Sequence, residues 1–298
     1  MNTGKARGFT LIELSIVLVI IGLIVGGILT GRSLIRASEL SATVSQIQKY
    51  AATLNTFRTK YDNHLPGDMD CKVAPQYGLF QVTWSGHCGA GDNTLHDVAN
   101  EDGMIYMGLN QAQTLGGGCG GECSIFWRHL SDAKMVDGNF GADLNFQGDP
   151  VTVDGSGNYV WSLYMPTAKY GSGNYIVIAS MSFSGTYSTI TSDNAFYFTT
   201  QGTATQNPFK PMMTPNDAYA IDSKIDDGKP TQGKVRMEVS AYSGTTGIKM
   251  FTNAAASGFC VAGVTNVFTP STYAAGVYNI ANPAYADVVS CIPDFIIK

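Results

Sequence analysis

Charge is scarce in this 298-residue chain. Asp, Glu, Lys and Arg make up 14 % of it, against about 25 % in a typical soluble domain. The balance is acidic, with 18 basic and 23 acidic side chains and a net charge of −5. There is no basic patch and no basic–aromatic interleaving. That removes the phosphate-neutralising surface nucleic-acid binding needs. Histidine is scarcer still, at four residues. Neither Gly-x-Ser-x-Gly nor His-Glu-x-x-His occurs, so no nucleophile–base or helical zinc motif speaks for an enzyme. No cofactor is expected. The composition is instead rich in Gly, Ser, Thr, Asn and Tyr, which suits an extracellular, β-rich surface. A chain of this length can bury an ample core as one large domain or two small ones.

The charges that exist avoid one stretch. From Phe9 to Leu29 the chain is almost continuously apolar, and Glu13 is its one ionisable side chain. Some 20 such residues at about 1.5 Å each cross a bilayer core as a helix. A carboxylate near the start of such a span costs a few kcal/mol in lipid and needs a partner. The plain alternative is a Glu13 that snorkels to the interface. The segment is also not an ordinary signal peptide. No A-x-A-like site follows within the run, and the plausible break, at Gly8, precedes it. A plain signal anchor would explain the length and the basic flank. It would not explain Gly8-Phe9-Thr10-Leu11-Ile12-Glu13 as a unit.

That unit resembles the prepilin class of the type IV filament superfamily, which includes type IV pilins and the pseudopilins of type II secretion. The shared features are a short basic leader with Lys5 and Arg7, Gly8 before the cut, Phe9 after it, and Glu13 fifth in the mature chain. A long apolar helix follows. The resemblance is strong from Lys5 to Asp68 and weaker beyond. It implies that a prepilin peptidase cuts between Gly8 and Phe9 and N-methylates Phe9. It also implies that Glu13 neutralises the terminal amine of a neighbouring subunit during assembly. Such a pair in hydrocarbon supplies register more than stability, because desolvation consumes much of the attraction. The chain departs from many pilins in lacking a Pro about two-thirds along the run, where Gly22, Gly26 and Gly27 stand instead. Loss of residues 1–8 takes the net charge from −5 to −7.

The helix is expected to run on to about Tyr61. Leu34, Ile35, Leu40, Val44, Ile47, Tyr50, Ala51, Leu54, Phe57 and Tyr61 recur at threes and fours. The alternative is two helices hinged near Gly31. Pro66-Gly67 then marks a turn. The resulting division is a leader at 1–8, a long helix at 9–62 that spans the membrane over 9–29, and a periplasmic or extracellular globular domain at 63–298. Residues 69–121 read as a long glycine-rich loop with a short helix near 101–115. His96, Asp97, Glu101 and Asp102 in it read as a solvated loop. Residues 122–136 read as an amphipathic helix stopped by Gly138. Residues 159–164, 174–183 and 194–200 read as strands. Asp154 to Asn158 is a hairpin turn, since Met165 stands where an EF-hand loop needs Glu. Thr214-Pro215-Asn216-Asp217 starts a helix with Ala218, Ile221 and Ile225 on one stripe and Gly228 as its stop. Residues 234–242 and 247–252 form a hairpin, and 260–267 and 291–297 supply further strands.

Six cysteines, Cys71, Cys88, Cys119, Cys123, Cys260 and Cys291, all follow the span and are disulfide candidates. Proximity suggests Cys71–Cys88, Cys119–Cys123 and Cys260–Cys291. The rival is metal binding by Cys119 and Cys123 with His87 or His96. Asp222, Asp226 and Asp227 cluster at a helix C-terminus, the wrong end for the dipole. Lys224 and Lys229 could offset them, or a calcium ion could; some pseudopilins bind calcium in their C-terminal region.

The fold expected is α+β and pilin-like: a long N-terminal transmembrane and amphipathic helix packed on an antiparallel β-sheet, with inserted loops and short helices. The function expected is structural. Subunits held in the inner membrane, with the globular domain in the periplasm, would assemble through their N-terminal helices into a filament at the surface. The alternatives are a type II secretion pseudopilin in a periplasmic pseudopilus, and an adhesive minor or tip pilin.

Overall fold

The structure is a computed structural model, and it describes residues 10–81, 101, 103–105, 121–144, 152–156, 159–180, 193–200, 212–237, 260–262, 277–278, 280–281, 286–287, 291 and 293–297. Helix α1 is one unbroken element, Leu11–Lys60, of 50 residues. At 1.5 Å per residue it is about 75 Å long. No hinge forms at Gly31. The helix changes character along its length. None of its residues before Leu40 is buried, whereas Leu40, Thr43, Val44, Ile47, Tyr50, Leu54 and Phe57 are. The buried stripe therefore starts later than the apolar spacing suggests: Leu34 and Ile35 are 67 % and 71 % exposed. Among the described residues the side chain furthest up the helix to bond with the head is Arg36, which meets Asp217.

The helix ends where Asp62 and Asn63 adopt positive φ of 50° and 69°, a conformation short polar side chains tolerate. Pro66-Gly67 then turns the chain onto a second helix, α2 (Glu122–Asp132). Gly67 has φ +91°, and a Cβ there would lie 2.5 Å from the Glu122 carbonyl oxygen. Only glycine permits so close an approach of two backbones.

Helix α2 is not amphipathic in its setting. Of its eleven residues only Arg128 and Asp132 escape full burial. Its buried serines have partners. The Ser124 hydroxyl donates to the Gly121 carbonyl at 3.0 Å, and Ser131 Oγ accepts the Phe140 N–H at 3.0 Å. Trp127 and Phe126 sit at the centre of the core, with Trp127 edge-on to Tyr50 at 5.0 Å and stacked on Phe196 at 6.0 Å. The helix stops at Asp132, before Gly138. Lys134 takes φ +59°, and the N–H groups of Lys134 and Met135 return to the Ser131 and Leu130 carbonyls. This pair of bonds is a Schellman motif.

Four strands form an antiparallel sheet in the order β1-β2-β6-β3: β1 (Asn174–Ser180), β2 (Asn194–Thr200), β3 (Val235–Met237) and β6 (Pro293–Ile297). Strand β6 is central, with Phe295 opposite both Phe196 and Val235. Ala195, Phe196, Tyr197 and Phe198 are all buried, so both faces of β2 are covered. Helix α1 meets the sheet through Tyr50, 6.0 Å from Phe196. A second sheet pairs β4 (Val261–Ala262) with β5 (Val277–Tyr278). Helix α3 (Pro215–Ile225) is capped by Thr214, whose side chain accepts from the Asp217 N–H.

Some expected elements differ. Residues 159–164 do not form a strand. Tyr159 makes one bridge to Val153, and Trp161–Leu163 is a 3-10 turn that buries Trp161. Burying the indole against the core decides this segment over its β propensity. No helix starts at Glu101. It has φ +60°, and Ile105 accepts a backbone bond from Ser180 beside β1. Asp154 Oδ1 accepts the Ser156 N–H at 2.8 Å, an Asx turn that closes the hairpin at 153–159. The expected strands at 234–242, 260–267 and 291–297 are present as β3, β4 and β6 in their described parts. Residues 106–115, 181–183, 238–242, 247–252 and 263–267 lie outside the described residues.

Candidate assembly site

The amino end of α1 carries the polar groups of the apolar span. Thr10 is the N-cap, with φ −80° and ψ 151°. Glu13 Oε2 accepts the Thr10 N–H at 2.8 Å and the Thr10 hydroxyl at 2.7 Å. The Glu13 N–H donates back to Thr10 Oγ1 at 3.3 Å. This is a reciprocal capping box. It satisfies donors at the start of the helix and holds the carboxylate beside the positive end of the dipole. The arrangement escaped the sequence reading, although its signal, a hydroxyl residue three places before Glu, is present in Thr10-x-x-Glu13. Gly8 and Phe9 lie outside the described residues.

Beyond the box, residues 11–30 bury no side chain against the rest of the protein. The helix is long and apolar enough to cross a membrane by length and composition. So large an apolar surface left uncovered needs lipid or other helices around it. Residues 3–29 match the model of the prokaryotic N-terminal methylation motif. The chain carries the prepilin-type motif of type IV pilins and pseudopilins. This prepilin motif implies processing by a prepilin peptidase, membrane association and filament assembly in general terms. With the apolar helix, it marks the precursor as anchored in the inner membrane, and it indicates a structural protein rather than an enzyme. No curated protein and no solved structure matches the chain.

The cysteines hold the head. Cys260 and Cys291 form a disulfide with Cα atoms 5.1 Å apart, closing 31 residues of sequence. Cys71 and Cys123 are also disulfide-bonded. That removes the thiolate a Cys119–Cys123 metal pair would need from Cys123. Cys88, Cys119, His87 and His96 lie outside the described residues, as do Asp97 and Asp102. Glu101 pairs with His64 Nδ1 at 2.9 Å.

The acids Asp222, Asp226 and Asp227 do converge, with one oxygen of each within 4.8 Å of the others. Each already accepts a hydrogen bond from the protein. Asp222 takes the Tyr278 hydroxyl at 2.8 Å and the Gly228 N–H at 3.2 Å. Asp226 takes the Lys234 N–H, and Asp227 takes the Lys229 N–H at 2.9 Å. Burial pushes the Asp222 carboxyl up to about 6, against those two donors. Among the described residues neither Lys224 nor Lys229 forms a salt bridge to these acids. The expected lysine offset is replaced by backbone N–H groups and a phenol, which reach carboxylates at the end of a turn more directly than long side chains do. Oxygen ligands are hard donors that suit calcium.

Proposed function

We propose that this chain is a structural subunit of a type IV pilus-like filament, assembled through its N-terminal helix. The observation that carries the reading is the division of α1. Residues 11–30 are exposed throughout and none before Leu40 is fully buried, while the buried stripe from Leu40 to Phe57 is built into the head. A helix fixed to a folded head at one end, and uncovered at the other, presents an apolar rod to lipid first and to sister helices afterwards. Glu13 stands at the start of that rod, held by Thr10. In this reading residues 1–8 are removed between Gly8 and Phe9, Phe9 is N-methylated, and the Glu13 carboxylate receives the new terminal amine of a neighbour. Residues 63–298 form the periplasmic head, which moves with its helix from membrane to filament. All six cysteines pair.

Mass spectrometry of sheared-surface and envelope fractions tests this, with and without reduction. The expected species begins at methylated Phe9, is abundant in the sheared fraction, and gains six hydrogens on reduction, two for each pair of its six cysteines. The same processed chain confined to the envelope would point to the pseudopilin of a type II secretion machine. A chain that keeps residues 1–8 in the presence of an active prepilin peptidase would overturn the reading.

A further inference from the structure

Arg36 lies on α1 one turn before its first buried residue, Leu40. Its Nε donates to Asp217 Oδ1 at 3.0 Å, and Nη2 donates to Asp217 Oδ2. The same Nη2 donates to the Tyr170 hydroxyl at 2.6 Å, and Nη1 donates to Glu39 Oε2 at 2.9 Å. The guanidinium carbon stands 4.7 Å from the centroid of the Tyr170 ring. Tyr170 in turn donates its hydroxyl to Asp217 Oδ2 at 3.0 Å, and Thr214 donates its own at 2.7 Å. The other oxygen of Glu39 accepts the Gly171 N–H at 2.6 Å. Three segments distant in sequence thus close on one guanidinium: the middle of α1, the 170–171 turn and the start of α3.

Among the described residues no buried apolar side chain of α1 does this job. Leu34 and Ile35 beside Arg36 are exposed, and the buried stripe of α1 begins at Leu40. The network is also unlike an ordinary surface pair. An exposed pair contributes little because water screens it and two long side chains must be ordered. Here the Arg36 side chain is 40 % exposed but that of Asp217 only 10 %, the contact is a two-pronged fork, and a ring stacks on the cation. Burial opposes the Asp217 charge, yet Arg36 and the Thr214 hydroxyl hold its carboxyl below the ordinary range. A lysine could supply the charge but neither the fork nor the stacking.

We propose that Arg36, Asp217 and Tyr170 form a latch that fixes the point at which the head takes hold of the long helix. The turn around Arg36 then moves with the head. Residues 11–35, with Gly22, Gly26, Gly27 and Gly31 among them, are left to engage lipid or neighbours. The glycines all fall on the free side of the latch, and α1 has none from Arg36 to Lys60. Any bending of α1 is therefore confined above Arg36, and a pull along the helix reaches the head first through this network. The latch is intramolecular, so it holds in a pilus and a pseudopilus alike.

Hydrogen exchange on the full chain in detergent micelles tests it. Peptides covering 32–40 are compared with peptides from α2, for wild type, Asp217→Asn, Arg36→Lys and the double variant. Each single variant is expected to speed exchange over 34–40 by about tenfold or more, because a charge-assisted, part-buried contact is lost. Exchange in α2 should stay as in wild type. The double variant should exchange no faster than the faster single, since the two residues act as one unit. Unchanged exchange over 34–40 in both single variants would overturn the latch. So would a uniform acceleration that includes α2, which would mean that Asp217 and Arg36 support the head as a whole.

Discussion

Acidification should weaken the head in part through His129. Its side chain is buried on α2 between two segments of the loop that follows α1. Nδ1 accepts the Gly67 N–H at 3.1 Å, and Nε2 lies 2.9 Å from the Phe80 carbonyl oxygen. The first bond requires a bare Nδ1, so the proton sits on Nε2 and is donated to Phe80. A second proton would break the bond to Gly67 and leave a buried cation. Burial accordingly lowers the imidazole from its ordinary 6.5 to about 4. The unfolded chain takes up a proton near 6.5 and the folded chain does not until about 4. The contribution of His129 is therefore whole above pH 6.5 and drains away as the pH falls towards 4. At about 1.4 kcal/mol per pH unit, the loss between pH 7 and pH 5 is about 2 kcal/mol. Urea unfolding of the full chain in micelles, followed by the fluorescence of Trp127 and Trp161 and repeated across that range, measures it. Carboxylates titrate too, so the comparison is with His129→Gln, whose amide has no proton to gain. Wild type should lose about 2 kcal/mol more than the variant from pH 7 to pH 5. Parallel curves for the two proteins would refute the argument.

Three further outcomes follow from the packing. Gly67→Ala must hold a Cβ at φ +91° and 2.5 Å from the Glu122 carbonyl oxygen; it should cost 2 kcal/mol or more in the same unfolding assay. Replacing Cys260 and Cys291 together with Ser opens a loop of 31 residues and should cost about 4 kcal/mol by the chain-entropy estimate. Deleting residues 293–298 removes β6 from between β2 and β3, so the head should lose its cooperative transition and be cut rapidly by protease.

The long helix was legible because it obeys local rules. Its apolar run, its later spacing of threes and fours and the Pro66 stop all lie within a turn or two of the residues they govern. The prepilin motif was legible for the same reason, being a contiguous string from Lys5 to Glu13. The start of the third helix was equally plain in Thr214-Pro215. Features that depend on distant partners were hidden. The face that Leu34 and Ile35 present could not be known without knowing how far the head reaches. The burial of α2 on nearly all sides depends on the 64–81 segment and on Phe196, neither of which is near it in sequence. Arg36 and Asp217 are 181 residues apart. At 161–163, strand-forming residues curl into a 3-10 turn because Trp161 finds the core that way.

The placement of β6 sets an order on the folding of the head. Helix α1 needs nothing beyond its own residues to form in a bilayer, since its backbone bonds are internal and residues 11–30 bury no side chain in the head. The sheet is different. Strand β1 meets β2 in a hairpin-like pair, but β2 and β3 do not touch. They are joined only when Phe295 arrives between Phe196 and Val235. Such non-local pairing carries the cost of closing long loops before it gains any contact. The Cys260–Cys291 bond lies two residues before β6 in sequence, so its formation brings the strand within reach of its slot. The anchor can therefore form without the head, whereas the sheet is joined only through β6. Strand β6, the last in sequence, joins the β1–β2 pair to β3.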